Sequence, residues 1–212
     1  SSDVEYKNLG LVITDEQHRF GVHQRFTLED KSKCPDILYL SATPIPRTYA
    51  MTIYGDLDIS YIKTKPNGRK DIITKVKKNS EIKEVLGLML EQIKLGHQIY
   101  VVSPLVEDDE SLNLTSVNLL KEKLTLAFKN LFRIEIIHGK MKPSEKESIM
   151  NDFKNNQIKI LIATTVIEVG IDVSNATMMV IFNAERFGLA TLHQLRGRVG
   201  RGEFQSYCIL KY

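Results

Sequence analysis

Apolar positions fall along this chain in short continuous blocks separated by helical-period stretches. Leu9-Gly10-Leu11-Val12-Ile13-Thr14 and Asp36-Ile37-Leu38-Tyr39-Leu40 are near-unbroken apolar runs, as expected of strands buried on both faces of a parallel sheet. Pro44 and Pro46 suit the start of a helix running from Arg47 to Tyr54. Lys63-Thr64-Lys65-Pro66-Asn67-Gly68-Arg69-Lys70 is basic and carries Pro and Gly, so it reads as a linker between two domains. The alternation then restarts. Ile72 to Val76 predicts a strand and Ser80 to Leu95 an amphipathic helix. The apolar stripe of that helix is Ile82, Val85, Leu86, Met89, Leu90 and Ile93, and Gly96 stops it. Gln98 to Val102 predicts a strand, Glu107 to Glu110 a solvated acidic loop, and Val117 to Phe128 a helix. Ile134 to Ile137 is a strand, followed by a helix over Pro143 to Phe153 with Ser144 and Glu147 spaced as a capping box. Strands over Lys159 to Ala163 and Thr177 to Phe182, a helix over Leu189 to Arg198 and a strand over Tyr207 to Leu210 complete the pattern. Strands alternating with helices predict an α/β fold: a mostly parallel sheet with helices on both faces.

Composition narrows the class only mildly. The 212 residues are 42% hydrophobic, with 29 basic and 26 acidic side chains and a net charge of +3. That balance allows a local basic groove without demanding a nucleic-acid partner. Cys34 and Cys208 are far apart and fit no metal spacing. No apolar run reaches membrane-spanning length and no secretory pattern opens the chain, so the sequence points to a cytoplasmic protein with reduced cysteines.

Polar residues placed directly after strands carry more information than composition. Asp15-Glu16, Ser41-Ala42-Thr43, Ser103-Pro104, His138-Gly139 and Thr164-Thr165 all hold such positions in the predicted pattern. In a parallel sheet those ends gather on one rim, where open α/β sheets place ligands. Two carboxylates there suit a Mg²⁺-nucleotide site, Asp15 holding the metal and Glu16 handling a water; a lone Asp-Glu pair is more often a polar turn. Small hydroxyls and glycine at that rim suit phosphate. Near the end of the chain, His193-Gln194-Leu195-Arg196-Gly197-Arg198-Val199-Gly200-Arg201-Gly202 concentrates three arginines among three glycines. On a helix end, Arg198 and Arg201 would share one face. Their guanidinium forks match phosphate oxygens. The stretch therefore reads either as a pair of fingers for a polyphosphate or as a basic element lying over phosphodiester.

In order along the chain, these residues resemble the motifs of superfamily 2 helicases. Asp15-Glu16-Gln17-His18 is similar to motif II and Ser41-Ala42-Thr43 to motif III. Ala163-Thr164-Thr165-Val166-Ile167-Glu168-Val169-Gly170-Ile171-Asp172-Val173 is similar to motif V. Gln194, Gly197, Arg198 and Arg201 fit the motif VI pattern Q-x-x-G-R-x-x-R. The finer resemblance is to bacterial ATP-dependent helicases that remodel branched DNA in repair and recombination. It rests on Asp15 to Val22, Thr43-Pro44-Ile45-Pro46-Arg47-Thr48 and His138 to Pro143. Transcription-repair coupling translocases share the Thr-Pro-Ile-Pro-Arg stretch, and Gln17-His18 favours the former.

The resemblance implies RecA-like lobes, with residues 1–65 as the end of the first and 66–212 as the second. It implies ATP and Mg²⁺ as cofactors and branched DNA as partner of a monomeric motor. Asp15 would bind Mg²⁺ through water and Glu16 would activate the attacking water. Ser41 and Thr43 would couple nucleotide state to movement, and Gly170 and Asp172 would approach the nucleotide. Arg198 and Arg201 would be the fingers and Gln194 the γ-phosphate sensor. Ser103, His138, Gly139, Thr164 and Thr165 would touch the DNA backbone. No G-x-x-x-x-G-K-[ST] loop occurs in the chain. That loop is expected ahead of Asp15 and further domains on either side, and the chain by itself is expected to be inactive. A non-catalytic nucleic-acid-binding module is the reading from another class.

Overall fold

The computed structural model describes residues 7–15, 35–41, 58–62, 64, 68–104, 110–164 and 173–212, with the side chains of 110–115 outside the description. The chain divides into two compact units, Ser1–Tyr61 and Ile62–Tyr212. In the first, β1 (Leu11–Asp15) pairs in parallel with β2 (Asp36–Leu40), Leu11 opposite Asp36 and Asp15 opposite Leu40.

The second unit holds β3 (Ile73–Lys77), α1 (Ile82–Lys94), β4 (Gln98–Val102), α2 (Glu110–Ala127), β5 (Ile134–Ile137) and α3 (Pro143–Lys154). β6 (Ile160–Ala163), β7 (Ala176–Ile181), α4 (Leu189–Arg196) and β8 (Tyr207–Lys211) follow. Among the described residues, its six strands form one parallel sheet in the order β3-β8-β7-β4-β6-β5. Strand side chains alternate between faces, and the core divides accordingly. Ile99, Val101, Ile160, Ile162, Met178, Val180 and Ile209 pack on one face against Val85, Met89 and Ile93 of α1 and Val117 and Leu124 of α2. Tyr100, Val102, Leu161, Ala163, Met179, Ile181 and Cys208 pack on the other against Met150 and Phe153 of α3 and Leu195 of α4. Met89, Ile99, Phe153, Ile162 and Met178 are wholly buried, each such side chain contributing about 1.5–3 kcal/mol. The parallel sheet with helices on both faces is the architecture expected from the alternating pattern.

Three local expectations are corrected. The second helix begins at Glu110, two turns before Val117; Ser111, Asn113 and Thr115 interrupt its apolar stripe and hide the start. In α3 the capping contact is made two residues earlier than Ser144–Glu147 suggests. Pro143 occupies the first helical position, and the Lys142 N–H donates to the Glu145 carboxylate at 3.2 Å. The last helix ends at Arg196, with Gly197 as its C-cap, so Arg198 and Arg201 do not share a helix face. Arg198 N–H still bonds the Leu195 carbonyl and Val199 N–H that of Arg196. A tightened turn therefore takes over where glycine removes the helical preference.

A buried polar knot fixes the amino-terminal end of the sheet. Gln98, wholly buried, donates both amide hydrogens, to the carbonyls of Phe153 (2.5 Å) and Ile158 (2.7 Å). Its carbonyl accepts from Asn175 at 3.2 Å, and Asn175 also meets His97 Nδ1 at 3.2 Å and the Gly96 carbonyl at 3.1 Å. Buried polar groups need such partners, and here they tie β4 and β7 to the end of α3. The ladder between β4 and β7 slips by one residue at Gln98/Ile99, beside this knot.

Candidate functional site

The predicted residues that the structure describes fall into three places. In the first unit, Asp15 closes β1 and Ser41 comes directly after β2. The Asp15–Leu40 register brings these two exposed residues to the same end of the strand pair. Exposed carboxylate and hydroxyl oxygens are hard donors of the kind Mg²⁺ takes. Glu16 and Thr43 lie outside the described residues, as does the helix expected over Arg47 to Tyr54.

The second place is the carboxyl-terminal rim of the six-stranded sheet. Ser103 comes after β4, Thr164 after β6 and His138-Gly139 after β5. Since these strands are neighbours in the order β4-β6-β5, the structure brings the three positions together in a row. The Ser103 N–H donates to the Ala163 carbonyl at 3.0 Å, which carries the ladder one step beyond the strands. Ser103 and Thr164 are buried, at 9% and 5% exposure. Burial pushes the His138 imidazole below its ordinary pKa, and the nearby Lys146 and Lys140 push it further while Glu145 opposes. Neutral His138 can therefore donate from one ring nitrogen and accept at the other. Beside it, Lys146 Nζ donates to the Gly139 carbonyl at 2.7 Å. A side chain added at Gly139 would meet nothing within 4 Å, so the space over that backbone is open. Thr165, Gly170 and Asp172 lie outside the described residues.

The same rim carries residues that the sequence did not single out. A cleft of about 440 Å³ opens beside Ser103, lined by Lys211, Lys123, Asn79 and Asn183 over Leu86 and Leu124. Lys211 is only 6% exposed. Its ammonium donates to Asn79 Oδ1 and lies 5.0 Å over the Phe182 ring. Burial lowers its pKa, against a weaker opposing pull from Glu185. Asn183, just past β7, sits in the left-handed region at φ 49°, uncommon for a residue other than glycine. Lys211 ends a strand that reads as ordinary core, so no sequence signal marks it until the strand order places β8 beside β7.

The third place is the turn after α4. Gln194 is half-buried on the last turn of that helix, and Arg198 and Arg201 lie just past its end. Arg201 Nε donates to the Gly197 carbonyl at 3.2 Å, returning to an orphan acceptor at the helix end. This turn is not on the rim of Ser103 and Thr164. Gly200 lies against Ile72 and Ser206, Gly202 against the carbonyl of Ser174, and the Phe204 ring packs at a tilt on His97 with centroids 4.6 Å apart. Ile72, Ser206, Ser174 and His97 all precede strands, so the arginine turn sits at the amino-terminal end of the sheet. Gly200 has φ +75°, and a Cβ there would come within 2.8 Å of Ile72. A Cβ on Gly202 would lie 2.8 Å from the Ser174 carbonyl oxygen, a backbone atom that cannot rotate away. The glycines of this stretch admit close approach of backbone, and here that backbone is the protein's own.

The six-stranded parallel sheet with helices on both faces is the fold of a RecA-like lobe. The sequence signature of the helicase conserved C-terminal domain matches residues 77–203, and the chain belongs to that family. Among curated relatives, the ATP-dependent DNA helicase RecG of Streptococcus pneumoniae is 52% identical over 207 residues, and that of Bacillus subtilis 48% identical over 208 residues. Each match covers 98% of this chain but only 31% and 30% of the relative, so the chain spans about a third of their length. A solved structure of RecG bound to a three-way DNA junction aligns over 99% of this chain and 26% of that one, with TM-score 0.75 and 44% identity. The fold recurs in a point variant of Saccharomyces cerevisiae Dbp5 bound to RNA and ADP BeF3, at TM-score 0.62 and 20% identity over 96% of this chain.

Proposed function

We propose that this chain is part of the motor of an ATP-dependent DNA helicase of the RecG type that remodels branched DNA in repair and recombination. The observation that carries this reading is the alignment of nearly the whole chain, at 44% identity, with RecG on a three-way junction. Residues 1–65 serve as the end of the first motor lobe and 66–212 as the second. DNA phosphates lie along the rim of Ser103, His138, Gly139, Thr164 and Thr165. The open space over Gly139 and the buried hydroxyls of Ser103 and Thr164 support that assignment. Arg198 and Arg201 face the polyphosphate of ATP, Gln194 senses its γ-phosphate, and Gly170 and Asp172 border the nucleotide. Asp15 holds Mg²⁺ through water, Glu16 directs the attacking water, and Ser41 and Thr43 link nucleotide state to movement.

Mg²⁺, when bound, neutralises charge on the β- and γ-oxygens. The chain's own contribution is positioning and fixed charge. A guanidinium placed where negative charge develops needs no reorganisation during the reaction. Without a phosphate loop of its own the chain alone hydrolyses no ATP. The motor works as a monomer in the cytoplasm, where its DNA lies.

The test is ATP turnover and strand separation by the full-length protein on forked, three-way and linear DNA. Turnover stimulated most by branched substrates is expected, together with conversion of the fork to separated products. Equal stimulation by linear duplex without strand separation would instead indicate a duplex translocase, and no DNA-stimulated turnover would indicate a binding module.

A further inference from the structure

The arginine turn is held from outside by residues 68–73, the stretch of the second unit that runs into β3. Gln205 Nε2 donates to the Asp71 carbonyl at 2.7 Å and to the Ser206 carbonyl at 3.2 Å. Ile73 N–H donates to the Ser206 carbonyl at 2.9 Å. Gly200 receives the Ile72 side chain, and Gly68 lies against the Glu203 side chain. Four places on the turn thus meet this stretch: 200 meets 72, 203 meets 68, 205 meets 71 and 206 meets 73. On its far side the turn is backed by the Ser174 carbonyl at Gly202 and by His97 at Phe204. The arginines sit between a fixed wall at the sheet end and a clip formed by the incoming chain.

We propose that Gln205 is a positioning residue that clips the arginine turn to the incoming segment, so that displacement of that segment moves Arg198 and Arg201. The inference rests on the reading above that these arginines serve ATP turnover. Gln205 suits the task because its side chain reaches a backbone carbonyl 134 residues away in sequence. A backbone acceptor tracks the path of the chain and not the identity of any side chain on it. Closure of motor lobes requires the chain joining them to change course. A turn clipped to the stretch just past that joining chain feels a pull on it, whereas an unclipped turn would not. Misplacing a reacting or stabilising group by about 1 Å costs on the order of a hundredfold in rate, so modest slack in the clip is enough to be read as lost turnover.

The experiment replaces Gln205 in the full-length protein with Met, which keeps the length and removes the donor, and with Glu, which sets a carboxylate against two carbonyls. DNA-stimulated ATP turnover, DNA affinity and melting temperature are measured on each. The expected result is kcat reduced roughly tenfold for Gln205→Met and further for Gln205→Glu, with KM for ATP, DNA affinity and melting temperature near those of the parent. An unchanged kcat in Gln205→Met, or a kcat that falls only in step with the folded fraction, overturns the inference. Arg198→Ala is assayed alongside. If it loses turnover while Gln205→Met does not, the clip is wrong and the arginine assignment stands. If Arg198→Ala retains turnover, the arginine assignment itself is wrong.

Discussion

The carboxyl-terminal rim and the arginine turn of the second unit are built in opposite ways. On the rim, Ser103, His138 and Thr164 occupy positions that any parallel strand supplies, one residue past its end. Their side chains differ little from those of an ordinary loop, and strand order alone makes them a row. The turn instead depends on missing side chains: Gly200 and Gly202 each fill a space that a single Cβ would overfill. A rim of this kind tolerates exchange of one contact at a time, while the turn transmits any change in its packing to both arginines at once.

The largest expected effect comes from that contrast. Arg198→Ala or Arg201→Ala in the full-length protein should lower ATP turnover by roughly 10³- to 10⁵-fold, the range seen for arginine fingers. DNA affinity should stay near that of the parent, because the turn and the rim lie at opposite ends of the sheet. Lysine should restore little, since it keeps charge but loses the fork. Affinity lost at constant turnover per bound complex would place the arginines on DNA and erase the distinction.

Next in size is Gly202→Ala. The clash is with the Ser174 carbonyl, so relief requires a backbone shift, and destabilisation of about 1–3 kcal/mol is expected. Thermal or denaturant unfolding reads it. Gly139→Ala, where the same atom meets open space, should leave stability unchanged and weaken DNA binding if a phosphate approaches there. Equal stability losses at the two glycines would contradict the difference between rim and turn.

Smaller still, Ser103→Ala and Thr164→Ala should each weaken DNA binding by roughly fivefold, about the worth of one net hydrogen bond. Because no charge is removed, the slope of affinity against salt should not change, although binding as a whole should be sequence-independent and fall steeply with salt. Titration of labelled DNA at two salt concentrations separates these outcomes.

The smallest effect is a pH dependence at His138. Its folded pKa lies below the ordinary value of 6.5, so protonation favours the unfolded chain. Stability should be insensitive to this group above that pH and decline as pH falls through it towards the folded pKa. A phosphate held against the ring acts in the reverse sense, and DNA affinity should rise as pH falls towards the folded pKa. His138→Asn should remove both trends.

Strands were the most legible part of the sequence, because runs such as Gln98 to Val102 and Ile134 to Ile137 are bounded by polar or turn-forming residues at both ends. Helix ends were less so. Arg196, Arg198 and Arg201 look alike in a periodic pattern, and only the C-cap geometry of Gly197 shows which are helical. The residues past strand ends could be proposed as one rim from the βα alternation alone. Their order along it, and the placing of the arginines at the other end, needed β8 to be known to insert between β3 and β7. The polar knot around Gln98 was illegible, since a glutamine opening a strand gives no sign that both its amide hydrogens meet carbonyls of another helix and its following turn.

That insertion of β8 also sets a timetable. Ile73 at the start of β3 pairs with Tyr207, so the first strand of the second unit waits for the last before it has any neighbour in the sheet. At a synthesis rate of about 5–20 residues per second, the 134 positions between Asp71 and Gln205 take roughly 7 to 27 s to emerge. Through that interval β3 has nothing to dock on, and once β7 has emerged its edge stays unpaired until β8 follows. Contacts so distant in sequence also make for slow folding once the chain is released. For a nascent chain of this design, the seconds before Tyr207 clears the ribosome are when exposed strand edges invite aggregation, and chaperones or proteases have their best access.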